Sequence, residues 1–137
     1  MAEVRWLSRR VVDLIHSELL AEHGGSPGLR AGGDELIDSA LARPQNRLHY
    51  QPDSDRSDLA AAYLFGLAKN HGYLDGNKRV AFACAATFLR LNGLRLTASE
   101  PDAYDLALGV AEGRISEDEA ARWFRANVAA GIGPAPT

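Results

Sequence analysis

Apolar residues recur at helical spacing through most of the chain, and short polar or glycine-containing stretches separate the periodic segments. Residues 8–22 place Val11, Val12, Ile15 and Leu19 on one face, with Ser8 suited to cap the start and Gly24-Gly25 to stop the helix. A glycine-rich loop follows over residues 26–33. Leu36, Ile37, Ala40 and Leu41 then predict a second helix from about Asp34 to Arg43, ended by Pro44, which disfavours helical backbone in the residue before it. Residues 45–56 show no clear period and include Pro52, so they read as an irregular connection.

The third helix is expected over residues 58–70, capped by Ser57, with Leu59, Ala62, Tyr63, Gly66 and Leu67 forming a closely packed central element. The fourth, over residues 77–91, is apolar almost all round and ends at Asn92-Gly93. Residues 94–97 are a brief strand or an extended link. Ser99 and Pro101 open a fifth helix to about Glu112, and the capping box Ser116-Glu117-Asp118-Glu119 opens a sixth that carries Trp123, Phe124 and Val128. The pattern predicts an all-α bundle of about six helices in a single domain, residues 1–130, followed by a tail over residues 131–137.

Composition narrows the class. With 46% hydrophobic and 24% charged residues, the 137-residue chain suits one domain with its own core. A net charge of −3 gives no general attraction to nucleic acid. The single cysteine, Cys84, excludes an internal disulfide and falls at an apolar helical position. No apolar run approaches the roughly 18 residues of a membrane span, and no signal-peptide core follows Glu3 and Arg5, so the expected location is the cytoplasm.

Chemistry concentrates in residues 71–79, His-Gly-Tyr-Leu-Asp-Gly-Asn-Lys-Arg. If Asn77 opens the fourth helix, the unpaired N–H groups and the dipole of its first turn attract an anion, and Lys78 and Arg79 add to that charge. Without an anion those two cations oppose the dipole. Asp75 offers the hard oxygen that Mg²⁺ prefers, and His71, with an ordinary pKa of about 6.5, suits a general base. Each residue alone also has a structural role open to it: turn formation for Asp75-Gly76, capping for Asn77, and a solvated first turn for Lys78-Arg79. His16, His23 and His49 read as surface or helix-end residues.

The pattern His71-x-x-x-Asp75-x-Asn77-Lys78-Arg79, followed by Phe88-Leu89-Arg90-x-Asn92-Gly93, resembles the signature of the death-on-curing (Doc) toxins, a branch of the Fic superfamily. Residues 24–30 and 41–45 also resemble stretches that precede the motif in such toxins. Tyr73 stands where phenylalanine is common. The resemblance implies a compact Fic-like fold with a flap ahead of the motif. By position in the chain, Arg47, Leu48 and His49 are candidates for substrate contact there.

Fic enzymes that transfer AMP typically carry Gly-Asn-Gly-Arg-x-x-Arg; here Lys78 replaces the second glycine and Phe82 the last arginine, as in the Doc branch. The resemblance therefore implies a kinase that moves the γ-phosphoryl group of ATP to a threonine of elongation factor Tu and arrests translation. His71 would be the base, Asp75 the Mg²⁺ ligand, and Gly76, Asn77, Lys78 and Arg79 the phosphate-binding residues. AMP transfer by the same motif and non-catalytic binding of an acidic partner are the alternatives. The chain lacks the internal inhibitory motif Ser/Thr-x-x-x-Glu-Gly/Asn, so the implied restraint is a separate antitoxin whose disordered carboxy-terminal segment folds on binding.

Overall fold

The computed structural model describes residues 3–131. Their helices are α1 (Arg9–His23), α2 (Gly33–Tyr50), α3 (Arg56–Asn70), α4 (Asn77–Leu91), α5 (Glu100–Ala111) and α6 (Glu117–Ala126). A two-stranded antiparallel sheet pairs β1 (Leu94–Leu96) with β2 (Val128–Ala130), in the register Leu94 to Ala130 and Leu96 to Val128. The fold is all-α apart from that ribbon. No helix among the described residues is long and apolar enough to cross a membrane.

α3 is the axis of the bundle, packed by α2, α4, α5 and α6. Alanine and glycine make this possible: Ala60, Ala61, Ala62 and Ala68 are fully buried, and at Gly66 an added Cβ would stand 3.1 Å from the Cα and Cβ of Ala40. Small side chains let helix axes approach closely. Larger residues then fill the remaining space, with Tyr63 tilted against Phe88 at 5.0 Å between ring centroids and Trp6 stacked on Phe88 at 5.9 Å. The Tyr63 hydroxyl accepts from the Leu7 N–H at 3.0 Å, so the buried phenol ties the amino-terminal segment to the core. Cys84 is fully buried, and burial pushes its thiol up to about 12.

Local signals place most helix ends. Ser8 accepts from the Val11 N–H, Ser99 caps α5 with Pro101 in its first turn, and Ser116 and Glu119 form both bonds of a capping box. Three boundaries differ from the sequence expectation. α6 ends at Ala126, so Val128 lies in β2, paired with Leu96, rather than in the sixth helix. α3 is capped by Asp55, which exchanges capping-box bonds with Asp58, while Ser57 lies inside the helix.

The largest difference is α2, which runs on through Pro44 to Tyr50 and leaves only residues 51–55 as the irregular connection. Pro44 is fully buried, Leu48 packs against the core, and Arg43 and Arg47 both reach Glu117 at the start of α6. These tertiary contacts outweigh the local cost of an internal proline. The expected tail lies outside the described residues except for Gly131, whose N–H donates to the Gly93 carbonyl at 2.7 Å.

Candidate functional site

The motif loop joins the end of α3 to the start of α4, and its shape comes from its own side chains. His71 closes α3 at φ 51°, the one non-glycine residue with positive φ among the described residues. Such backbone is sparsely populated and persists only where its surroundings hold it. Here the Arg30 guanidinium donates to the His71 carbonyl at 3.0 Å. Asn77, only 8% exposed, clamps the loop: its Oδ1 accepts from the Tyr73 N–H at 3.0 Å and its Nδ2 donates to the Tyr73 carbonyl at 2.9 Å. The Asn77 side chain therefore shapes the loop, and its backbone N–H belongs to the first turn of α4, where helical N–H groups lack an intrahelical acceptor.

α4 begins after Gly76, at φ 80°, with no side-chain cap. The first-turn N–H groups are without a side-chain cap, and Lys78 and Arg79 stand among them. Both line a cleft of about 590 Å³ between α1, α4 and α5, where the Arg79 guanidinium lies 5.8 Å from the centre of the Tyr104 ring. Asp75 is exposed beside this turn. Its Oδ1 accepts from the Gly76 N–H at 2.9 Å and its Oδ2 from the Ser26 N–H at 3.3 Å.

The His71 imidazole is half-buried. Burial, and then the charges of Lys78, Arg30 and Lys69, lower its pKa from the ordinary value of 6.5. The shift favours the neutral ring, the form able to accept a proton. An imidazole, an exposed carboxylate and an uncapped cationic helix start fall within nine residues.

A model of the Fic/DOC family matches residues 6–89, more than half of the chain. The chain belongs to that family. It is 33% identical over 122 residues to "Protein kinase doc" of Escherichia phage P1, covering 89% of this chain and 94% of that protein. It is 47% identical over 76 residues to "Toxin Doc" of Mycolicibacterium smegmatis (strain ATCC 700084 / mc(2)155), covering 55% of this chain and 57% of that protein.

Within this Fic/DOC site, the expected flap residues are not beside the motif. Arg47, Leu48 and His49 form the last turn of α2. Arg47 pairs with Glu117 at 2.6 Å, Leu48 packs inward, and His49 is exposed with its ring edge-on to Tyr50 at 5.8 Å. The segment that lies along the motif loop is residues 25–30. The Arg30 N–H donates to the Gly72 carbonyl at 3.0 Å and the Leu74 N–H to the Gly28 carbonyl at 3.1 Å, around a single bridge between Leu29 and Tyr73. Gly25 is required there: at φ 125°, an added Cβ would fall 2.9 Å from Asp75 Oδ2. The glycine cluster was the available signal for this role, and helical spacing could not reveal which loop those glycines approach.

His16, expected at the surface or a helix end, is buried instead, only 6% exposed. Its ring stacks on Tyr73 at 3.7 Å between centroids, and its Nε2 lies 2.9 Å from the Asp75 carbonyl. The hydroxyl that distinguishes Tyr73 from phenylalanine donates to Asp13 Oδ1 at 2.7 Å. Arg9 bonds Asp13, Asp34 and Asp38 and so ties α1 to α2 behind the loop. Phe82, at the place of the last arginine in the Gly-Asn-Gly-Arg-x-x-Arg pattern, packs against the rings of Trp123 and Phe124, and its side chain has no group that could bond an anion.

Proposed function

We propose that this chain is a Doc-type toxin of a toxin–antitoxin pair, a protein kinase that transfers the γ-phosphoryl group of ATP to a threonine hydroxyl of elongation factor Tu and thereby arrests translation. The observation that carries the reading is the placement of His71, at the end of α3, close to the uncapped, cationic first turn of α4, whose Lys78 charge is among those that lower its pKa. The likeness to the protein kinase of phage P1 supports phosphoryl transfer, and the replacement of both AMP-transfer positions by Lys78 and Phe82 agrees with it.

His71 accepts the proton of the acceptor hydroxyl as its oxygen attacks the γ-phosphorus, while the bond from that phosphorus to the β–γ bridging oxygen breaks and ADP leaves. The first-turn N–H groups, Lys78 and Arg79 hold the phosphates and offset charge on the leaving oxygen. Positioning and charge neutralisation are the main demands of phosphoryl transfer.

The donor set fits Mg²⁺: one exposed carboxylate, Asp75, next to a phosphate site, and no cage of three or more protein ligands among the described residues. Bound there, Mg²⁺ would neutralise phosphate charge. Residues 25–30, which lie along the motif loop, are the better candidates for holding the acceptor segment. The partner that restrains the toxin would be an antitoxin with a carboxy-terminal segment that folds on binding.

Incubating the protein with elongation factor Tu and Mg-ATP, labelled at either the γ or the α phosphate, tests the reading. Label from the γ position on the acceptor, abolished by His71→Ala, is expected. Label from the α position alone would establish AMP transfer instead, and no label from either would favour a binding role.

A further inference from the structure

We propose that His16, on α1 and outside the motif, is the positioning residue that aims the Asp75 carboxylate. A carbonyl oxygen only accepts hydrogen bonds, so the 2.9 Å contact between His16 Nε2 and the Asp75 oxygen requires the proton on Nε2. That bond fixes one edge of the Asp75–Gly76 peptide. The peptide is planar and trans, so the Gly76 N–H points away from the carbonyl, on the opposite edge of the same plane. That N–H is the donor to Asp75 Oδ1 at 2.9 Å.

The orientation of the imidazole is thereby transmitted through one rigid plane to the carboxylate. The Ser26 N–H holds the other oxygen, Oδ2, at 3.3 Å. His16 is itself held: it is 6% exposed and stacked face to face on Tyr73, whose hydroxyl is tethered to Asp13 of the same helix. Gly76 is favoured there by its φ of 80° rather than by space, since a Cβ would meet His16 Cδ2 at an ordinary 3.7 Å. α1 thus works as a latch on the motif loop.

The role of the aimed carboxylate rests on the proposed function, but the latch can be measured without it. His16→Gln keeps a side-chain N–H in place of Nε2, whereas His16→Phe keeps the stacked ring and loses the donor. Amide hydrogen exchange by NMR, on the protein without ligand, reads the Gly76 N–H directly. We expect Gly76 to exchange about fivefold faster in His16→Phe, with α3 amides unchanged, and near the wild-type rate in His16→Gln, because a lost hydrogen bond worth about 1 kcal/mol opens the amide by about that factor.

In parallel, Mn²⁺ binding in the presence of a non-hydrolysable ATP analogue should weaken about 10- to 100-fold in His16→Phe and recover in His16→Gln, the range typical of groups that orient metal ligands. Unchanged Gly76 exchange in His16→Phe would overturn the proposal. Equal loosening in both variants would also overturn it, since the ring would then matter as packing alone. If the exchange pattern holds while the wild type binds no metal–nucleotide, the latch stands and the proposed function fails.

Discussion

Replacing Arg47 by methionine separates a structural role from a role in substrate contact. The Arg47 side chain is 15% exposed and pairs with Glu117, itself 16% exposed, at 2.6 Å, with Asp58 at 3.5 Å and Asp118 at 3.6 Å further out. Removing one partner of a mostly buried pair costs about 3 kcal/mol, at the low end for such pairs because both remain partly hydrated. Glu117 keeps Arg43 at 2.7 Å and Asp58 keeps Arg125 at 3.2 Å, which prevents a larger loss.

Against that cost, the buried Nε of Arg47 has no partner among the described residues, and removing it returns about 1 kcal/mol. The methionine chain replaces the arginine stem in packing. A net loss of about 2 kcal/mol corresponds to a fall in melting temperature of roughly 5–10 °C for a domain of this size. Thermal unfolding followed by circular dichroism measures it, and the transfer rate at a temperature where both proteins are folded should change less than about twofold, an energy under 0.5 kcal/mol. A variant of wild-type stability that had lost transfer would refute this reasoning and return Arg47 to the acceptor site.

Other expectations concern the motif loop. NMR titration of the His71 ring should give a pKa below 6.5, and removing a nearby charge with Arg30→Gln should raise it; a value above 6.5 in the wild type would contradict the proposed base. Because the folded pKa is the lower one, the associated stability is present above the unfolded value of about 6.5 and declines as pH falls toward the folded pKa. The transfer rate should decline over the same acidic range. Gly25→Ala forces a side chain into φ 125° and against Asp75, so a loss of about 1–3 kcal/mol in stability is expected, together with weaker metal–nucleotide binding. Denaturant unfolding and calorimetry measure the two. Tyr73→Phe removes only the bond to Asp13 and should cost about 1 kcal/mol in denaturant unfolding, with the His16 stack retained.

What the sequence determined by itself lies within a few residues of each signal. Ser8, Ser99 and the Ser116–Glu119 box place helix starts, and Asn92-Gly93 a stop, because a cap bonds to groups two or three positions away. The motif was legible for the same reason: its base, carboxylate and cations fall on one loop and the first turn of one helix. The tertiary structure decided the rest. Pro44 ends no helix, because packing on α3 and the bonds of Arg43 and Arg47 to Glu117 of α6 supply contacts that the local rule does not count.

β2 forms because Leu94–Leu96 offers it an edge more than thirty positions earlier in the chain. The loop at residues 25–30 acquires its place from Gly72, Leu74 and Asp75, and His16 its burial from Tyr73 and a carbonyl 59 residues away. Periodicity and capping describe bonds along the chain, whereas these contacts exist only once packing has brought distant backbone edges together.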